Sequence, residues 1–345
     1  MAGTLAIGID IGGTKIAAGV VDEDGQVLDR RVADTPSTDP AAVLAAIGDI
    51  VEDLRREHRV RAIGIGAAGF VDATGSTVLF APHLAWRNEP LRDATARRTG
   101  LPVLVENDAN ASGWAEWRFG AAQNESDVVL VTLGTGIGGA LVIDGRPYRG
   151  RYGMAGEFGH MQVVPDGLPC ECGNRGCWEQ YASGRVLTRL GRASAEAGTE
   201  LGRRLLDAAG GVADRIQGLH VTAAARDGDQ EAVAWLAEVG DWLGVGVANL
   251  AAALDPGVVV VGGGVSDAGE LLLGPARTAF SRSLTGHGFR TEARIVAAHL
   301  GVDAGLIGAA DMARVIARRR RPASPDGRVR VRGAARSGRS SRRRK

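Results

Sequence analysis

The stretch Leu5-Ala6-Ile7-Gly8-Ile9-Asp10-Ile11-Gly12-Gly13-Thr14-Lys15 has the pattern of a buried strand that ends in a glycine turn. Apolar runs at 16–22 and 26–33 follow it, so this region predicts three consecutive strands separated by turns. A second series of the same kind has apolar runs at 128–134 and 138–143 around another glycine turn. The chain therefore repeats one plan, which predicts a duplicated α/β unit with a ligand-binding cleft between the copies.

The chain has 345 residues, which is more than one core usually supports, so we expect two domains. Apolar residues make up 45% of the sequence, enough for two buried cores. Asp39 and Pro40 predict the start of a helix, and long helical patterns cover 179–217 and 230–254. No basic leader precedes the first strand pattern, and no apolar run approaches the ~18 residues of a membrane span. We therefore expect a cytoplasmic protein.

Three glycine-rich turns each follow an apolar strand pattern. Glycine lets the backbone approach a ligand closely, and clustered N–H groups bind anions. One such turn is weak support, and none matches the established phosphate or dinucleotide motifs. Three turns spread over both halves predict a triphosphate held from two domains. The turns contain Gly12, Gly13, Thr14 and Lys15, then Gly134, Thr135 and Gly136, and finally Gly262, Gly263 and Gly264.

All three cysteines, Cys170, Cys172 and Cys177, lie within eight residues, and His160 lies ten residues before the first of them. Together they offer the four ligands of a closed tetrahedral zinc site. A disulfide would leave one cysteine over, and cysteines as close as the first two rarely pair. We therefore predict a structural zinc ion. Glutamates border the loop on both sides, so the metal is expected to shape a ligand pocket. The other histidines have no ligand-like neighbours in the sequence.

Basic residues are concentrated at the C-terminus. The segment 314–345 holds fourteen of the 41 Lys and Arg residues and one of the 40 acidic residues, so it carries about +13 and the rest about −12. From about 322 onward it contains mostly Arg, Ser, Gly and Pro, which predicts disorder. Two interpretations stay open: weak contact with a polyanion such as RNA, DNA or polyphosphate, or a solvated extension. We favour the second.

Phosphoryl transfer to a hydroxyl group needs alignment and charge neutralisation more than covalent help. A carboxylate within hydrogen-bond reach of the hydroxyl can orient it and accept its proton. Asp108 follows a predicted buried strand at 101–105, whose end would direct it into the cleft. The residues alone leave open a second interpretation, in which Asp108 caps the helical stretch 109–118.

Five segments, 7–15, 106–110, 133–139, 156–179 and 259–265, together resemble the ROK family of sugar kinases and repressors. The resemblance covers about 4–318. It implies a duplicated actin/hexokinase-like (ribonuclease H-like) ATPase fold with two domains and a cleft between them. The expected parts are a small N-terminal domain over 1–112, joined by a C-terminal helix at about 302–318, a large domain over 113–301 that contains the zinc loop 156–179, and a disordered basic tail over 319–345.

The resemblance also implies a role for each matching residue. Asp108 matches the catalytic base, and the three glycine turns match contacts to ATP. His160 matches a residue that binds zinc through one ring nitrogen and sugar through the other. Mg²⁺ should arrive with ATP, and Asp10 is the nearest expected protein carboxylate. The expected sugar ligands are Gly69, Asn107, Asp108, Glu157, His160 and Glu179, and the expected zinc ligands are His160, Cys170, Cys172 and Cys177.

The segments 84–90 and 156–160 are most similar to those of actinobacterial members that phosphorylate glucose. The resemblance therefore implies ATP-dependent phosphorylation of glucose at its 6-hydroxyl, in a homodimer or homotetramer. Two alternatives stay open. One is a kinase for another hexose or an N-acetylhexosamine. The other is a sugar-responsive repressor, for which the glycine turn after Asp10 leaves no room for a preceding DNA-binding module.

Overall fold

The computed structural model describes residues 4–319, in which strands and helices alternate in both halves. The strands are β1 (Leu5–Ile11), β2 (Lys15–Val21), β3 (Val27–Asp34), β4 (Val60–Ala67), β5 (Phe70–Val71), β6 (Val78–Phe80), β7 (Arg87–Glu89), β8 (Val103–Asn107), β9 (Val128–Leu133), β10 (Ile137–Ile143), β11 (Arg146–Pro147), β12 (Val258–Gly262) and β13 (Arg294–Ala297). The α-helices are α1 (Pro40–Glu57), α2 (Leu91–Thr99), α3 (Asp108–Phe119), α4 (Gly184–Glu196), α5 (Glu200–Ala208), α6 (Gly218–Arg226), α7 (Gln230–Leu254), α8 (Glu270–Ser283) and α9 (Ala304–Arg319). From residue 320 onward, the predicted basic tail lies outside the described residues.

Two five-stranded sheets share one topology. The first has the order β3-β2-β1-β4-β8, and the second has the order β11-β10-β9-β12-β13. In each sheet the first three strands of the chain are antiparallel neighbours, and the last two add in parallel. The short strands β5, β6 and β7 form a small antiparallel sheet after β4. The duplicated α/β fold expected from the sequence is confirmed.

The central strands are buried on both faces, which explains their nearly continuous apolar sequence. Ile7 and Ile9 of β1 and Ile63 and Ile65 of β4 have no exposed area. Fully burying a side chain of this size stabilises the fold by roughly 1.5–3 kcal/mol. Each sheet has its own large apolar cluster, so each half is supported by a separate core.

Helices α3 and α9 cross between the halves. Helix α9 follows the second sheet in the chain but packs on the first, where a Cβ at Gly8 of β1 would collide with the backbone of Leu306. Helix α3 follows the first sheet, yet its Gly113 lies against Ala140 of β10. The C-terminal helix thus packs against the N-terminal sheet. The boundary at residue 112 stays a prediction, because α3 contacts both halves. Within residues 4–319, no helix combines the length and apolar character needed to span a bilayer.

Candidate active site

Asp108 begins α3, directly after the end of β8. The neighbouring Asn107 is the N-cap, because its side-chain oxygen accepts a hydrogen bond from the backbone N–H of Asn110 at 3.0 Å. The Oδ1 of Asp108 accepts from the backbone N–H of Ala109 at 2.9 Å and from Nδ2 of Asn107 at 3.0 Å. The alternative in which Asp108 serves as the helix cap is therefore wrong. Its carboxylate is held by one oxygen, and Oδ2 takes no part in these bonds.

Two carboxylates near the cleft have raised pKa values. Burial raises the pKa of Asp108, although hydrogen bonds from the backbone and from Asn107 partly oppose this. For Asp10, at the end of β1, burial and then repulsion from the Asp108 carboxylate raise the pKa to about 7. The two acids therefore share one poorly solvated environment. Such a pair favours a bound proton or cation near neutral pH.

The predicted sugar ligands meet where β4, β8 and the cysteine loop come together. The Nδ2 of Asn107 donates to the carbonyl oxygen of Gly69, 3.1 Å away. Burial raises the pKa of Glu157, His160 acts in the opposite direction, and the carboxylates of Asp108 and Glu179 raise it further.

These effects on Glu157 place Asp108, Glu179 and His160 near its carboxylate, since Coulomb interactions weaken rapidly with distance in a hydrated cleft. Glu179 is buried, and its carboxylate lies directly against Gly136 of the second glycine turn. One of the predicted sugar ligands, Glu179, therefore lies against the second glycine turn.

The His-and-three-Cys set converges as predicted from the sequence. Its ligand atoms all lie within 4.8 Å of one another. Nδ1 of His160 is 3.7 Å from Sγ of Cys170, and Sγ of Cys172 is 3.7 Å from Sγ of Cys177. Tetrahedral zinc with Zn–S bonds of about 2.3 Å separates its ligand atoms by about 3.8 Å, so the four side chains fit that ion. Because Nδ1 of His160 faces the sulfurs, Nε2 is left for another partner.

The three glycine turns lie at equivalent or neighbouring strand ends. The first closes the β1–β2 hairpin, with the N–H of Gly12 bonded to the carbonyl of Lys15 at 3.0 Å. The second closes the β9–β10 hairpin over one residue fewer, with the N–H of Gly134 bonded to the carbonyl of Gly136 at 3.0 Å. The third follows β12 and includes Gly263, whose φ of +85° favours glycine. Its Cβ would also collide with the backbone of β9.

A cavity of about 230 Å³ lies between the halves. It is lined by Asp10, by the third glycine turn and by residues near the start of α9. Sequence reasoning found the first two groups but missed the third and also missed Ser112 and Glu116 of α3. Glu116 is buried and accepts from the N–H groups of His299 and Leu300, which holds the segment that leads into α9. No local sequence pattern predicts that these residues line the cavity, because α9 follows the second sheet in the chain and packs on the first sheet only in the folded structure.

The expectation that the other histidines lack ligand-like neighbours is wrong for His58. Its Nε2 lies 3.2 Å from Oδ2 of Asp29, and Glu57 completes a group that could hold a metal. The guanidinium of Arg31 already pairs with Asp29, which opposes cation binding there. The zinc loop is therefore the stronger metal candidate.

The fold and the cleft define a member of the actin/hexokinase-like class of ATPases. The chain belongs to the ROK family, whose model matches residues 6–316. It is 50% identical over 310 residues to a glucokinase of Streptomyces coelicolor, which covers 90% of this chain and 98% of the relative. An N-acetylmannosamine kinase of Citrobacter koseri is 35% identical over 310 residues, covering 89% of this chain and 98% of that protein.

Among solved structures, the chain is similar to a ROK family glucokinase from Streptomyces griseus in complex with glucose and AMPPNP. The TM-score is 0.83 at 53% sequence identity, and the match covers 90% of this chain and 99% of that one. The similarity therefore extends over both sheets and the cleft, rather than over one half alone.

Proposed function

We propose that this chain transfers the γ-phosphoryl group of ATP to the 6-hydroxyl of glucose, with Asp108 as general base. One structural observation carries the proposal: the Asp108 carboxylate begins α3 in the same cleft as Glu157, His160 and Glu179. The names of the Streptomyces relatives, including the one solved with glucose and an ATP analogue, support glucose as the acceptor and ATP as the donor.

Asp108 is suited to orient the attacking hydroxyl. The bonds from Ala109 and Asn107 fix Oδ1 and leave Oδ2 to accept the hydroxyl proton. As the hydroxyl oxygen forms its bond to the γ-phosphorus, the bond between that phosphorus and the β-phosphate oxygen breaks. The proton moves to Asp108 and the electron pair leaves with ADP. A pKa raised by burial makes the carboxylate a stronger base for this step.

The remaining polar groups of the cleft would bind the sugar hydroxyls. Glu157 and Glu179 supply acceptors, and His160 supplies a ring nitrogen that does not face the sulfurs. The carbonyl of Gly69 and the amide of Asn107 are already joined, which fixes both groups before the sugar arrives. Several rigid acceptors on different elements are what discrimination between hydroxyl patterns requires.

The glycine turns would bind the nucleotide phosphates through backbone N–H groups. Mg²⁺ bound with ATP would neutralise phosphate charge, and Asp10 lines the cavity where that cation would be needed. A divalent cation would stabilise the ionised form of Asp10, whose pKa is otherwise about 7. Asp10 is therefore assigned to the metal–nucleotide side and Asp108 to the sugar side.

A zinc ion held by His160, Cys170, Cys172 and Cys177 would fix the loop between Glu157 and Glu179. Its role here is structural, because four protein ligands leave no open coordination position. Cys170 also lies close to the sugar site, with Sγ 3.2 Å from Oε1 of Glu179. Loss of the ion would therefore disturb a sugar ligand directly. The homodimer or homotetramer and the cytoplasmic location stay predictions, and weak polyanion contact by the tail stays the less favoured of its two interpretations.

The test is a coupled assay with Mg-ATP and glucose, mannose, fructose, N-acetylglucosamine or N-acetylmannosamine. We expect the highest kcat/KM with glucose. A higher kcat/KM with an N-acetyl sugar would show that this sugar, and not glucose, is the acceptor, while the proposed mechanism would still hold. Sugar binding without turnover on any acceptor would instead favour the regulatory alternative within the family.

A further inference from the structure

An ion pair outside the mechanism described above joins the two halves beside the general base. Glu106, in β8, is buried, with 3% of its side chain exposed. Its Oε2 accepts from Nε of Arg149 at 2.5 Å and also contacts Nη2 of that residue. Its Oε1 accepts from Nδ2 of Asn110 and from the backbone N–H of Asn107, both at 3.1 Å. Oε2 thus bonds to the second half of the molecule, and Oε1 bonds to the first.

Arg149 lies on a loop that leads to the sugar site. The loop 148–157 follows β11 of the second sheet and ends at Glu157. Gly153 of this loop packs directly against the backbone of Val71 in β5, with a φ of +89°. The loop therefore contacts the first half at two places, through the backbone at Gly153 and through a charged pair at Arg149.

We propose that Glu106 and Arg149 are positioning residues that set the separation between the two sides of the acceptor site. Glu106 holds the backbone of Asn107 and the first turn of α3, from which Asp108 extends. Arg149 holds the loop that carries Glu157. The pair therefore couples the general base to a sugar ligand that comes from the other half. This inference rests on the proposed sugar kinase reaction.

Positioning accounts for this pair better than stability does. Glu106 is buried and Arg149 is 29% exposed, and the cost of removing a carboxylate from water offsets much of the attraction within such a pair, so the pair is weak support for a stabilising role. A displacement of about 1 Å in a reacting group can, however, reduce a rate about 100-fold. Glu106 also uses both oxygens in four contacts, which fixes its orientation more tightly than a single contact would.

The experiment compares Arg149→Met, Arg149→Lys, Glu106→Gln and the double variant Glu106→Gln/Arg149→Met. We expect Arg149→Met to lower kcat about 10–100-fold and to raise KM for glucose several-fold, while KM for ATP stays within about twofold. Arg149→Lys should recover part of kcat. The double variant should lose less than the product of the two single losses, because the groups act as one unit.

The matched control is Arg204→Met. Arg204 pairs with the partly buried Asp229 at 2.9 Å, but both residues lie in the second half, on α5 and before α7. This variant should keep wild-type kinetics. Thermal unfolding and glucose affinity by calorimetry, measured for every variant, separate loss of folded protein from loss of geometry.

A folded Arg149→Met variant with wild-type kcat and KM for glucose would overturn the proposal. Activity that falls only in proportion to the folded fraction would overturn it too, since the pair would then be merely structural. Wild-type turnover in the same assay tests the reaction separately. If another hexose proves to be the substrate, the same kcat and KM ratios on that hexose decide the positioning role. If no sugar turns over, the calorimetric affinity ratio decides it.

Discussion

The two sheets share one topology but carry different chemistry at their strand ends. In the first half, β1 ends near Asp10 and β8 leads directly to Asp108, so this half presents carboxylates to the cleft. In the second half, β12 ends in Gly262, Gly263 and Gly264, so this half presents backbone N–H groups. This contrast concerns the ends of β1, β8 and β12 alone, because the first half also carries the glycine turn after β1 and the second half also carries Glu157 and Glu179.

The connections between equivalent strands differ even more. Between β3 and β4 the first half inserts α1 alone, whereas between β11 and β12 the second half inserts the zinc loop and α4 to α7. Both glutamates assigned to the sugar lie in this insertion. The repeated sheets thus provide a scaffold, and a segment that breaks the repeat adds two glutamates to the proposed sugar site. The predictions below test this division, starting with the largest expected effect.

The carboxylate of the first half should matter most. Asp108→Asn keeps the shape of the side chain and can keep the contact of Oδ1 with Ala109, but it removes the proton acceptor. We expect kcat to fall about 10²–10⁴-fold, the usual contribution of general base catalysis, with little change in KM for either substrate. Steady-state kinetics with quantified folded protein checks this. Turnover above about a tenth of the wild-type value would exclude the assigned role.

The zinc loop of the second half should come next. Cys172 is exposed, so Cys172→Ser costs little packing, and any large effect must pass through the metal. We expect loss of bound zinc and a parallel loss of glucose affinity, because Glu179 contacts the sulfur of Cys170. Atomic emission gives the zinc content, and calorimetry gives the affinity for glucose.

Ser126→Ala, a substitution at an exposed position outside the loop, is the control for zinc or activity lost during purification. A zinc-free Cys172→Ser variant that still binds glucose normally would show that the sugar pocket does not depend on the metal. The insertion would then contribute ligands without needing the ion.

The glycine turn of the second half offers a matched pair of substitutions. At Gly263 an added Cβ would collide with the backbone of Leu133 and would require a φ of +85°. At Gly264 nothing lies within 4 Å of an added Cβ. We expect Gly263→Ala to raise KM for ATP about 10-fold or more, and Gly264→Ala to raise it less, with KM for glucose unchanged in both. Equal effects of the two substitutions would show that backbone geometry at Gly263 is not what binds the phosphates.

Much of this division could be predicted from the sequence. The strand and turn patterns predicted the duplication, and the helix start at Asp39 is confirmed, with its side chain capping the N–H groups of Ala41 and Ala42. Helix α7 also covers the predicted range 230–254. The spacing of the cysteines predicted their convergence, because a short loop with glycines allows few other arrangements.

The parts that could not be predicted depend on distant contacts. The helical pattern over 179–217 did not show where its helices end, and Gly198 and Gly210 take left-handed backbone conformations that separate α4, α5 and α6. Arg149 carries no local signal that it reaches β8. The start of α9 meets Asp10 only because the last helix returns to the first sheet.

The smallest effect should concern the pH dependence of stability in the first half. The pKa of Asp10 is about 7 in the folded protein and 3.8 in its ordinary state, so the folded protein binds the proton more tightly. The contribution of Asp10 to the free energy of unfolding should therefore be highest below about pH 4, fall as the pH rises to about 7, and then level off. Asp10→Asn lacks this contribution, so the free energy of unfolding of the variant should rise relative to that of the wild type between about pH 4 and 7. The difference should be about 1–2 kcal/mol, less than the ~4 kcal/mol that the full pKa shift corresponds to, because Asp10 keeps some exposed area and water screens part of the penalty.

Urea unfolding from pH 4 to 8, without nucleotide and with a chelator, measures that difference. The chelator matters because a divalent cation would favour the ionised carboxylate and reduce the slope. Asp207→Asn, on the exposed face of α5, controls for the loss of one surface charge. A wild-type curve parallel to that of Asp10→Asn would mean that folding leaves the pKa of Asp10 unchanged. Asp10 would then be better solvated than its burial indicates. The strand ends of the two halves would still differ in charge, but not in how strongly the protein perturbs that charge.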